Sequence, residues 1–134
     1  MAFQVRYGLS AIGWLGIACA DLSGRSPADR KQVLDGDAGR GRAIVATGEY
    51  GCTSCHTIPG IRGPRGVVGP PLEGMAQRAF IAGQLPNKPD VLVAFLQNPA
   101  SLLPGTGMPD VRLGLPQARD IAAYLYTLEP GDAR

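Results

Sequence analysis

The chain has 134 residues and carries 13 Lys and Arg against 11 Asp and Glu, a formal charge of +2 that argues against a nucleic-acid binder built on a basic face. Gly (19) and Pro (12) make up close to a quarter of it, just under the level that marks a disordered chain, so one small domain with long, defined loops is expected. Only 6% of residues are aromatic, and a domain this small needs apolar mass beyond its own side chains, which a bound group would supply.

Tyr7 to Ala20 is an uncharged run that ends at Asp21. It is shorter than the roughly 18 apolar residues of a membrane span and has the length of a signal-peptide core. Ala18-Cys19-Ala20 has the small-x-small form of a peptidase site. Residues 1–20 are therefore read as a signal peptide, with a short uncleaved anchor as the alternative. Gly16-Ile17-Ala18-Cys19 is also similar to a lipoprotein processing site, with Leu15 one place early, so Cys19 is a second tethering candidate. A periplasmic location, with the protein free or held at the membrane surface, is expected. Removal of the leader takes away one basic residue, Arg6, and leaves an almost neutral protein with little long-range steering.

Residues 21–35 are polar without apolar periodicity and read as a tether; 36–130 form the domain and 131–134 a tail. An all-α fold is expected, with three to four short helices joined by Gly/Pro-rich loops. Ala38 to Glu49 is the first helical candidate. Lys88 to Gln97 is the next, with Asn87 as its cap, Pro89 in its first turn and Pro99 stopping it. Pro116 to Glu129 is the clearest: Ile121, Ala122, Leu125 and Leu128 fall at helical spacings, and Pro130-Gly131 ends it. No segment alternates as a strand. From Ile58 to Pro71, Gly60, Gly63, Gly66 and Gly69 recur every third residue. Four such triplets are too few for a collagen helix, and a loop that hugs something flat is the better reading.

Cys52-Thr53-Ser54-Cys55-His56 follows the first helical candidate. Two thiols three positions apart can form thioether bonds to haem vinyl groups, while the adjacent imidazole ligates the iron from the same side. A zinc site would lack its further ligands, since Cys19 is in the leader and His56 is the one histidine. A thioredoxin-like dithiol would lack its preceding strand and parallel sheet, and a plain disulfide would leave His56 without a role. Covalent haem c through Cys52 and Cys55, with His56 on the iron, is the expectation.

Two soft donors remain for the other face of the iron, Met75 and Met108. Met108 lies in the rigid run Pro104-Gly-Thr-Gly-Met-Pro109, far enough along the chain to pass around a haem, and is the expected ligand. Met75 lies just past a turn and reads as filling a gap at the haem edge. An open or exchangeable position is the third alternative.

With these motifs in place the chain resembles the class I c-type cytochromes over about Gly36 to Leu128. The resemblance rests on CTSCH at 52–56, GPPL at 69–72, LVAFLQNPASLLPGTGMP at 92–109 and ARDIAAYLYTL at 118–128. It implies the small cytochrome c fold around one haem. It further implies that the Pro70 carbonyl accepts from the His56 ring, that Leu72, Leu92, Phe95 and Leu96 wall the haem, and that Thr106 holds a propionate or the methionine loop. Gly41 would let the first helix cross closely over Ile121, Tyr124 and Leu125. The chain departs from the mitochondrial pattern at Phe95, which stands in place of a tyrosine, and at Ala100, Ser101 and Gly107, which stand in place of lysines. A lysine-ring docking mode is therefore not expected. Arg78 or Asn87 is read as facing a propionate, against the alternative of a solvated side chain.

The function implied is single-electron transfer between respiratory-chain proteins, a quinol-oxidising complex or dehydrogenase on one side and a terminal oxidase on the other, by a monomer without catalysis of its own. A haem subunit fixed to such a complex through the leader or a Cys19 lipid is the alternative.

Overall fold

The computed structural model describes residues 31–131. The leader, the processing site and Cys19 lie outside the described residues, as do residues 21–30 and 132–134. Among the described residues the helices, in chain order, are α1 (Ala38–Thr47), α2 (Cys52–Cys55), α3 (Pro89–Gln97), α4 (Pro99–Leu102) and α5 (Leu115–Leu125). A 3₁₀ turn spans Met75–Gln77, and a two-residue antiparallel hairpin pairs β1 (Phe80–Ile81) with β2 (Leu85–Pro86).

α1 starts where Asp37 accepts from the Arg40 amide and stops at Gly48, whose φ of 75° lets its N–H reach back to the Val45 carbonyl. It packs across α5, and α3 packs against the same helix. The crossing is close because Gly41 has no side chain: a Cβ there would run into the Asp120 carbonyl and lie 2.9 Å from the Ile121 amide. Arg40 and Asp120 staple the same crossing. The Arg40 Nε and Nη2 donate to the two Asp120 carboxylate oxygens at 2.8 Å each, and Asp120 also accepts from the Asp37 amide at 2.8 Å. The guanidinium bond holds the Asp120 carboxyl below the usual carboxylate range, and Asp120 in turn raises the Arg40 guanidinium.

α3 begins at Pro89 as the sequence indicates, but Asn87 does not cap it. Lys88 is the residue before the first turn, and no side chain bonds the helix start. Asn87 is instead buried, where its amide donates to the Met75 and Arg78 carbonyls (2.8 and 2.9 Å) and its oxygen accepts from the Tyr126 hydroxyl (2.8 Å). Burial pushes that hydroxyl well above the usual phenol range. α5 ends at Leu125, four residues before the sequence-based limit. Beyond it the chain tightens into shorter bonds, Thr127 N–H to the Tyr124 carbonyl (2.9 Å) and Leu128 N–H to that of Leu125 (3.3 Å).

Residues 31–35, the end of the segment read as a tether, lie against the domain. Val33 is 6% exposed, the Lys31 ammonium donates to the Arg78 carbonyl at 2.9 Å and sits 5.6 Å from the Tyr126 ring centre, and Asp35 pairs with Arg119. Burial lowers the Lys31 ammonium below the usual range. The core runs from Val45 through Leu92, Phe95 and Leu96 to Ile121, Tyr124 and Leu125. A cavity opens beside it.

Candidate functional site

α2 is a single turn, Cys52 to Cys55, entered through Gly51 at φ 64° and left at His56 in extended backbone. The turn therefore sets Cys52, Cys55 and His56 side by side on the wall of a cavity of about 280 Å³. Burial raises the Cys52 thiol above its ordinary value.

The glycine-rich loop after the motif packs on α2. Gly66 N–H donates to the Thr53 carbonyl (3.0 Å), Gly69 N–H to that of Cys55 (2.8 Å) and Leu72 N–H to that of Thr57 (3.0 Å). Three of the four evenly spaced glycines are close approaches. A Cβ on Gly63 would lie 2.6 Å from the Thr53 hydroxyl, one on Gly66 would strike the Ser54 carbonyl, and one on Gly69 would lie 2.6 Å from His56 Nδ1. The object the loop hugs is the CTSCH turn with the imidazole at its end, and a bulkier side chain at any of the three would push the loop off it.

His56 Nδ1 lies 2.7 Å from the Pro70 carbonyl oxygen. A carbonyl only accepts, so Nδ1 carries the proton and Nε2 keeps its lone pair. This is the tautomer a metal ligand needs.

All of Pro70, Leu72, Phe95, Thr106 and Met108 line the same cavity as the motif. Leu92, Phe95 and Leu96, at 2%, 5% and 6% exposure, form the buried face that α3 presents. Thr106 Oγ1 accepts from the Met108 amide at 3.3 Å, and the Thr106 amide donates to the Leu103 carbonyl at 3.1 Å, so the hydroxyl turns inward on its own loop. Met75 also lines the cavity, but as a core residue at 4% exposure. Arg78 is at the cavity wall with its Nη2 bonded to the Pro71 and Glu73 carbonyls. Asn87 is not among the lining residues; its side-chain amide bonds to Met75, Arg78 and Tyr126 instead.

Tyr50, two positions before Cys52, lines the cavity although the sequence reading does not single it out, and Gly69, the last glycine of the three-residue period, lines it beside His56.

A flat apolar macrocycle fits this site. Two thiols and a tautomerically fixed imidazole stand on one wall, and the remaining walls are mainly aliphatic and aromatic. Among the described residues no Asp, Glu or Lys lines the cavity. Such a wall accepts an apolar ring and would repel no carboxylate that the ring itself carried.

A Cytochrome c family model matches residues 38–129, most of the described chain, and the protein belongs to that family. It is a haem electron-transfer protein of the small cytochrome c fold, and its haem c is bound covalently, Cys52 and Cys55 having the spacing of the attachment motif. No curated protein matches the chain.

Proposed function

We propose that this cytochrome is an exported carrier that passes single electrons between respiratory-chain proteins, with His56 and Met108 as the two protein ligands of its iron. The observation that carries the ligand assignment is the 2.7 Å approach of His56 Nδ1 to the Pro70 carbonyl in a cavity that also takes in Met108. Haem supplies an iron that alternates between ferrous and ferric.

The chain's own residues do the rest. Pro70 holds the imidazole with Nε2 unprotonated, and the acceptor bond makes that nitrogen a stronger donor. Thr106 steadies the Met108 amide. Met75 is assigned to packing, because it is buried in the core beneath the Asn87 bond to its carbonyl. The apolar wall of Leu92, Phe95 and Leu96 excludes water from a centre that changes charge. Thioether sulfur and an apolar surround both favour the ferrous form and raise the potential. Phe95 has no hydroxyl to offer the methionine sulfur.

The partner meets the cavity mouth. Val67 and Val68 are 88% and 86% exposed, Val68 lines the mouth, and the chain from Tyr50 to Leu72 holds Arg62 and Arg65 with no acidic residue. That face suits a redox protein with an apolar centre and an acidic rim. Export rests on the uncharged run Tyr7 to Ala20 and the Ala18-Cys19-Ala20 site.

The test is the absorption spectrum of the purified protein, oxidised and reduced. Covalent haem together with the weak long-wavelength band of methionine sulfur on ferric iron is expected, and Met108→Ala removes that band while Met75→Leu keeps it. Retention of the band in Met108→Ala overturns the assignment. Recovery of the protein from the periplasmic fraction checks export.

A further inference from the structure

We propose that Arg78 is a positioning residue for His56, acting through the Pro70-Pro71 step rather than through its charge. The inference deepens the ligand reading above and rests on it.

Pro70 and Pro71 have no N–H, so this pair cannot be tied down by donating a backbone hydrogen bond. The backbone amides on either side are used, Gly69 N–H on the Cys55 carbonyl and Leu72 N–H on that of Thr57. Between them the chain is held through its carbonyls alone. The Pro70 carbonyl takes the His56 Nδ1–H, and the Pro71 carbonyl takes Arg78 Nη2. Nη2 also donates to the Glu73 carbonyl at 3.0 Å, so one guanidinium nitrogen fixes both ends of the turn Pro71 to Glu73. A rotation of the Pro70-Pro71 step that swung the Pro70 carbonyl off the imidazole would break the Arg78 bond as well.

Arg78 can resist that rotation because its own backbone is held. Its carbonyl accepts from the buried Asn87 amide (2.9 Å) and from the Lys31 ammonium (2.9 Å), and Asn87 is fixed in turn by the Tyr126 hydroxyl. The bonded chain runs from the end of α5 to the imidazole: Tyr126, Asn87, Arg78, Pro71, Pro70, His56. The Asn87 end of this chain is buried and bonded, and among the described residues no buried side-chain polar atom lacks a partner, whereas Pro70 and Pro71 are exposed and their carbonyls are held by the His56 and Arg78 bonds. The planar fork of an arginine suits this task, because two donors leave one nitrogen in fixed directions.

The test uses the haem-loaded protein. His56 is the one histidine, so its Nδ1–H gives a single assignable signal in the reduced, diamagnetic protein labelled with nitrogen-15 histidine. Exchange of that proton with solvent is measured in the unsubstituted protein, in Arg78→Gln and in Arg78→Lys, beside the denaturant midpoint of each. Loss of a supporting hydrogen bond to a ligand of this kind is expected to speed exchange about tenfold in both variants. It should do so under conditions where global unfolding does not account for it, and retained charge in Arg78→Lys should not rescue it. Three results overturn the proposal: unchanged exchange in both variants, faster exchange in Arg78→Gln alone, which would make Arg78 a charge at the cavity, or exchange that follows the global stability of each variant. Failure of the ligand reading is separate: the oxidised unsubstituted protein would then show no paramagnetic shift of the His56 ring, while the exchange measurement would still decide the role of Arg78.

Discussion

The two sides of the haem cavity are held in different ways. On the His56 side, three backbone bonds and the imidazole bond to Pro70 tie the Gly66–Leu72 loop to the Thr53–Thr57 stretch, over separations of 13 to 15 residues, and three glycines let the surfaces meet. On the Met108 side the bonds are local. Thr106 N–H reaches the Leu103 carbonyl, Met108 N–H reaches the Thr106 hydroxyl, and Arg112 N–H reaches the Asp110 carboxylate. Bonds that span two or three residues shape a loop without fastening it to the rest of the molecule. The histidine side should therefore open only with the domain, and the methionine side should open first.

The sharpest way to break this contrast is Gly69→Ala. The added Cβ would lie 2.6 Å from His56 Nδ1 at a position where φ is not positive, so the cost is steric, about 3 kcal/mol. The imidazole must leave the Pro70 carbonyl or the loop must leave α2. The expected outcome is a large fall in the denaturant midpoint with loss of the protected His56 Nδ1–H signal, and a His56 proton as protected as in the parent would contradict it.

Asp120→Asn comes next and should not distinguish the two sides. It acts on the α1/α5 crossing that carries both: asparagine keeps one acceptor oxygen for the Asp37 amide and Arg40 Nη2 but turns a donor toward Arg40 Nε, at a cost of about 1–3 kcal/mol. The pH dependence follows from the depressed carboxyl. Its contribution is complete above the ordinary carboxylate value, about pH 4, and is lost as pH falls through the lower folded value. The parent should therefore lose stability in acid more steeply than Asp120→Asn, and parallel acid profiles would count against the staple. Thermal melts from pH 6 downward measure both.

The contrast between local and distant bonds also separates what the sequence discloses from what it hides. CTSCH, Pro89 and Pro116 are legible because attachment chemistry and helix starts are local; all three stand where sequence reasoning puts them. The walls formed by Leu92, Phe95 and Leu96 are legible through the family resemblance. Asn87 is misread because its position before a helix is a strong short-range cue, while its partners are carbonyls 9 and 12 residues away and a hydroxyl 39 away. Val33 is overlooked because one valine in a polar run leaves no period, though it packs into the core. The hairpin at Phe80–Pro86 gives no alternation to find, since each strand is two residues long and its turn begins with Ala82 at φ 48° rather than with a customary turn residue. The glycine period is visible, but its partner is fixed only when the loop folds back on Thr53, Ser54 and His56.

Thr106→Val sharpens the contrast from the methionine side. Valine keeps the volume and removes the oxygen that accepts from Met108 N–H, a loss of about 1 kcal/mol. The band of methionine-ligated ferric haem should disappear at lower denaturant concentration than in the parent, while exchange of the His56 Nδ1–H stays as it was. Equal effects on both sides would mean that the loop is fastened more widely than its bonds indicate.

The smallest expected effect is a gain. Arg112 follows the Met108 run with φ at 59°, a left-handed backbone that a branched side chain at Cβ would resist and that costs an arginine about 1 kcal/mol relative to glycine. Its exposed side chain lies next to Val111 at the cavity wall, and its amide is already bonded to Asp110. Arg112→Gly removes that strain but adds freedom to the unfolded chain, so the net stabilisation should be about 0.5 kcal/mol. Because the relief falls inside the local loop, it should appear as later loss of the methionine band in denaturant, with little change in the global midpoint. A shift of the global midpoint with no shift of the band would place the strain of Arg112 in the frame of the domain rather than in the loop that carries Met108.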